Sequence, residues 1–144
     1  MIYTQLGTDK YVLRLESGDD ILQSLRQFAT TKRIGASLLE GIGSLRKVKL
    51  GHYDFKTKQY KFEIFEDDLE ILTLSGNIAS MNREPLPHVH VTLGRRDFSV
   101  IGGHLDEESS ANMVEIGLWK LPGKLVKAKD AEIGLNVLQL RRRI

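Results

Sequence analysis

The sequence predicts an α+β domain: a mainly antiparallel, strongly curled sheet with one principal helix packed on it. Three observations predict it. Only residues 21–33 carry an apolar stripe of helical period. From residue 36 onward the apolar period is two. The alternating segments are short, and Asp, Gly, Asn and Lys clusters separate them, which suits hairpins.

The first predicted element is a strand, with Tyr11, Leu13 and Leu15 alternating with Val12 and Arg14. Ser17-Gly18-Asp19-Asp20 ends it and supplies helix-capping side chains. Ile21, Leu22, Leu25, Phe28 and Ala29 then fall on one face of a helix of about three turns. That helix ends near Lys32-Arg33, where the macrodipole favours cations. Strands are expected over Ala36–Leu45, Val48–His52, Tyr60–Ile64, Glu70–Ile78, His88–Leu93, Phe98–Ile101, Met113–Trp119 and Ile133–Leu140. Pro85, Pro87 and Pro122 read as turn residues. No repeat, linker or low-complexity stretch divides residues 1–144, so one domain is expected, with its core at about 11–119 and a C-terminal strand and basic tail over 120–144.

At 144 residues, 41% hydrophobic and 28% charged, the chain reads as globular. It has no cysteine, which excludes disulfides and thiolate metal sites and is compatible with the cytoplasm. No apolar run approaches the roughly 20 residues of a membrane-spanning helix, and the N-terminus lacks a signal-peptide pattern. The net charge of +2 does not by itself imply nucleic acid. Lys120, Lys124, Lys127, Lys129 and Arg141-Arg142-Arg143 read as a solvated basic face and tail.

Three of the four histidines fall between residues 88 and 104. In a strand, His88 and His90 point to one face, about 6.5–7 Å apart, while Val89 and Val91 face the core. Arg95, Arg96 and Asp97 suit a hairpin turn centred near residue 96, which sets His104 opposite about residue 88. Gly102-Gly103 permits a bulge that re-aims His104. Three imidazoles so placed can hold one ion at about 2.0–2.1 Å each and leave a position open. Zinc suits the set, and cobalt, nickel and iron also accept imidazole. The same pattern also suits rings hydrogen-bonded to backbone on one sheet face.

His52 has no histidine neighbour in sequence and reads as a surface or interface residue. Glu40 and Glu115 are the candidate acids or bases, although the sequence alone does not bring either to the histidines. Gly41-x-Gly43 is no dinucleotide fingerprint, since Arg46 occupies the third position and a strand follows. No Walker sequence, G-x-S-x-G elbow or Ser/His/Asp set is present. Trp119, between Leu118 and Lys120, suits an interface anchor or ordinary core.

An ordered series of motifs carries a resemblance. It comprises Leu39-Glu40-Gly41-Ile42-Gly43-Ser44-Leu45, Leu50-Gly51-His52-Tyr53-Asp54, residues 70–78, Pro87-His88-Val89-His90-Val91 and Val100-Ile101-Gly102-Gly103-His104-Leu105. The series resembles the PPC domain (plants and prokaryotes conserved), from about Tyr11 to Trp119. The resemblance implies a homotrimer in which His88, His90 and His104 bind a divalent metal, usually taken as zinc. In plants the domain sits beside AT-hooks that grip A/T-rich DNA. This chain has no Arg-Gly-Arg-Pro core, so DNA binding comes by family association alone. The fold also resembles that of acetolactate decarboxylase, which uses a zinc held by three histidines. Three functions are therefore expected in order: a homotrimeric metal-binding module, a zinc-dependent lyase or hydrolase acting on a small carbonyl compound, and a DNA binder.

Overall fold

A computed structural model describes residues 1–140. Arg141, Arg142 and Arg143 of the expected basic tail lie outside the described residues. The elements run β1 (Ile2–Leu6), β2 (Lys10–Leu15), α1 (Ile21–Thr31), β3 (Ser37–Asp54), β4 (Gln59–Phe65), β5 (Leu69–Met81), β6 (Glu84–Gly94), β7 (Val100–Leu105), β8 (Ser110–Lys120), β9 (Lys127–Lys129) and β10 (Asn136–Leu138). The strand pairs are antiparallel throughout.

The helix forms where its apolar stripe places it. Ile21, Leu22, Leu25, Phe28 and Ala29 are buried. Asp20 caps it: Oδ1 accepts from the Gln23 N–H at 2.8 Å, and Oδ2 accepts from the Glu108 N–H at 3.0 Å. One carboxylate thus satisfies a helix N-terminal donor and ties the helix to the turn between β7 and β8. Phe28 packs edge-on against Tyr3 and Tyr11.

The sheet closes through β3, which is 18 residues long. Its first half pairs with β5 and β8, and its second half pairs with β4 and β7. Since β5 pairs with β6 and β6 with β7, the strands β3–β5–β6–β7–β3 form a ring. The ring and the helix enclose Leu39, Leu45, Leu74, Ile78, Val89, Leu93 and Leu105, all fully buried. Each contributes about 1.5–3 kcal/mol of transfer free energy against the chain entropy lost on folding.

Several expectations are corrected. Ala36–Leu45 and Val48–His52 belong to one strand, because Arg46 and Lys47 are absorbed by register shifts against β8 rather than by a turn. Pro85 and Pro87 lie inside β6, opposite Ser80 and Ile78. They are tolerated because β7 pairs only with His90–Gly94, so the edge facing away from β5 needs no N–H there. Phe98 is not in a strand; it sits in the β6–β7 turn with φ of 64°. β1 carries no alternation and is exposed along its length, and its pairing with β2 is what forms it. Only Asn136–Leu138 of the last expected strand pairs, with β9. Among the described residues, no helix is long and apolar enough to cross a membrane.

Gly76 allows β5 and β6 to approach closely: a Cβ there would lie 2.2 Å from the His88 carbonyl oxygen. Gly76→Ala is expected to cost about 1–3 kcal/mol, as overpacking does. Urea unfolding of the variant beside the parent measures it, and an unchanged midpoint would refute the close approach.

Candidate metal centre

Strand parity builds the site. On β6, Val89, Val91 and Leu93 turn inward and are buried, so His88 and His90 turn outward. β7 returns antiparallel with His104 directly opposite His90. The expected register, with His104 opposite residue 88, is therefore off by two. The turn closes with Gly94 opposite Val100 and hydrogen bonds from Phe98 N–H to Arg95 and from Arg95 N–H to Ser99. A slip of two keeps every side chain on its face, so the three rings still converge. No bulge re-aims His104. Gly102 and Gly103 instead let backbones pack closely: added Cβ atoms would sit 2.6 Å from the Val91 carbonyl oxygen and 3.0 Å from that of Gly51.

One ring nitrogen from each of His88, His90 and His104 lies within 4.8 Å of the other two. The ring centroids form a near-equilateral triangle with sides of 5.1, 5.2 and 5.5 Å. His104 Nδ1 is buried without a hydrogen-bond partner. Three imidazole nitrogens that close together fit a divalent metal, and the unpartnered Nδ1 belongs to one of the three rings. The alternative, rings hydrogen-bonded to backbone, leaves that nitrogen unexplained. Tyr60 packs its ring 5.3 Å from that of His104 and stacks on Phe62, so β4 forms an aromatic wall.

The other sequence candidates lie apart. An outward-facing row crosses the sheet as Phe62, Gly51, His104, His90, Ser75, Glu40, Gly117 and Val12. Glu40 shares the histidines' face but is two strands from His90, roughly 10 Å at the usual strand spacing. Glu115 is opposite Ile42 on β8, farther still. The two carboxylates line a separate shallow groove with Val12, Ile42 and Leu72. His52 is exposed on β3 and belongs to no histidine group. Trp119 is partly exposed, its ring folded over Gly117.

Sequence reasoning missed three neighbours. Tyr60 carried no sign of which face it took. Asn77, cross-strand from His88, has a buried Oδ1 with no hydrogen-bond partner. Lys127, expected on a solvated basic face, is 6% exposed. Burial holds its ammonium below the usual lysine range.

Burial also favours the neutral form of His88 and His104. His88 is pushed down to about 4, first by burial, then by the charges of Lys127, His104 and His90. His104 is lowered by burial and by His90, with Asp106 opposing. Neutral imidazole is the ligand form. Unfolded His88 titrates near 6.5, so between pH 6.5 and 4 only the unfolded chain gains this proton. The metal-free protein should therefore lose stability as pH falls through that window. His88→Gln should lose less, as urea midpoints at pH 7, 5.5 and 4.5 would measure; identical pH slopes would refute the depressed His88.

The Plants and Prokaryotes Conserved (PCC) domain model matches residues 4–122. A candidate DNA-binding protein of Bacteroides thetaiotaomicron is 30% identical, with a TM-score of 0.91 and 98% of each chain covered. A metal-containing protein of Archaeoglobus fulgidus is 31% identical, with a TM-score of 0.87 over 97% of this chain and 99% of that one. A plant- and prokaryote-conserved protein of Pyrococcus horikoshii is 29% identical, with a TM-score of 0.87 over 97% and 100%. Acetolactate decarboxylase of Bacillus subtilis is 10% identical at a TM-score of 0.56, covering 90% of this chain and 60% of that one, a likeness of fold alone. No curated protein matches the chain. With the family model covering most of its length, the chain belongs to the Plants and Prokaryotes Conserved domain family.

Proposed function

We propose that the chain is a self-associating module that binds one divalent ion, zinc, at His88, His90 and His104. The observation that carries this reading is the convergence of three imidazoles, one of which, His104, has a buried Nδ1 without a hydrogen-bond partner. The related Archaeoglobus protein, described as metal-containing, supports it. A zinc ion on three imidazoles supplies Lewis acidity at its remaining position. The chain's own part is to favour neutral His88 and His104 by burial, fix His104 against Tyr60 and limit water with the aromatic wall.

Self-association rests on a different region of the same outer face. Val12, Leu38, Ile42, Leu72, Met113 and Trp119 are exposed apolar side chains on β2, β3, β5 and β8. Apolar groups spread over one sheet face suit burial between copies, and the family resemblance implies that the copies number three. The lyase or hydrolase reading ranks lower, because no carboxylate joins the histidine cluster among the described residues. A DNA-associated role is the second reading. Related proteins are described as candidate DNA-binding proteins, and Arg33, Arg83, Lys120 and Lys124 line one cleft, although Asp9 and Glu84 line it too.

Metal analysis of the purified parent should find about one divalent ion per subunit and little in His90→Ala. Equal content in the two would refute the ligand set. Light scattering should give three times the subunit mass for the parent and a smaller species for Ile42→Glu. A parent of monomer mass would refute self-association.

A further inference from the structure

Lys127 is the buried group that the metal reading leaves unused. Its position is built. On one side of the preceding residue, the Ser80 N–H donates to the Leu125 carbonyl at 2.7 Å, and Ser80 bridges Val126. On the other, the Gln139 N–H donates to the Val126 carbonyl at 2.8 Å. Val126 is exposed, and the strand alternation turns Lys127 inward to 6% exposure. Lysine is almost never so buried unless paired. Yet no carboxylate lies within ion-pair distance of it among the described residues. Asp106, the acid whose charge reaches His104, is already committed to Lys49 at 2.8 Å.

The charge balance follows. The segment carrying Lys127 bridges β5 at Ser80, three residues from Asn77, which lies opposite His88, and the lysine charge disfavours protonation of both His88 and His104. Three neutral imidazoles contribute nothing to offset a divalent ion, so the loaded site would hold a dication and an ammonium with no acidic side chain between them. Removing such charge from water without a counter-charge is costly. Asn77 adds an unpartnered acceptor on the same face, beside His88.

Building on the metal reading, we propose that Lys127 makes this a site for a small carboxylate, held between the ion's open position and the Lys127 ammonium. The carboxylate supplies the missing negative charge, and Asn77 Oδ1 accepts from a donor on the ligand or from a water beside it. Lys127 is then a specificity residue, and the site prefers an anion to a neutral molecule of equal shape.

The test uses cobalt(II)-loaded full-length protein, with acetate and acetamide as probes and the visible cobalt absorption as readout. Cobalt content is measured first. Acetate should bind the parent at least about tenfold tighter than acetamide, and Lys127→Met should abolish most of that preference while keeping its cobalt. Lys127→Arg should retain it. Equal acetate affinity in the parent and cobalt-loaded Lys127→Met would overturn the proposal. So would equal affinity of the parent for acetate and acetamide, a result that stands even if the methionine variant does not fold. A parent that takes up no cobalt would instead overturn the metal reading beneath it.

Discussion

The double pairing of β3 is the constraint on which the molecule depends. One 18-residue strand hydrogen-bonds along both edges in both halves, first to β5 and β8, then to β4 and β7. With β6 between β5 and β7, this closes a ring of strands. Closure fixes an inside and an outside for every residue of β6 and β7. Leucine and valine fill the inside, so the alternate positions, histidines among them, must face out. The same closure brings Tyr60 of β4 across Gly51 to His104, because any side chain at position 51 would meet Tyr60 and Phe62.

The outer face of the sheet therefore has two regions of different chemistry. Over β6 and β7, the histidine cluster shares its surroundings with a buried lysine that has no ion pair among the described residues and with an unpartnered amide oxygen. Over β2, β8, β3 and β5, apolar side chains stand in solvent beside Glu40 and Glu115. Burial governs the first region by disfavouring protonation of His88 and His104. Exposure governs the second, where apolar area left in water gains from being covered.

Local signals were legible in the sequence. The helix was readable because one apolar stripe and one capping aspartate both specify it. The histidine pair was readable because strand parity needs only neighbouring residues. His104 joined it despite a register off by two, since an even slip preserves the face; a slip of one would have turned the ring into the core. Distant relations were not legible. Whether Glu40 reaches the histidines depends on the β3–β5–β6 order, which no local pattern encodes. Lys127 sits among alternating lysines and looked solvated, and only the return of the chain over Ser80 buries it. Arg46-Lys47 looked like a break because charge clusters often mark turns, yet a register shift let the strand run on.

X-ray absorption at the zinc edge of the zinc-loaded protein tests the central claim most directly. Scattering from three imidazole rings, with nitrogens at about 2.0–2.1 Å, is the expected spectrum. A shell of oxygens with one ring or none would mean that the closed sheet does not bring these side chains to a common ion.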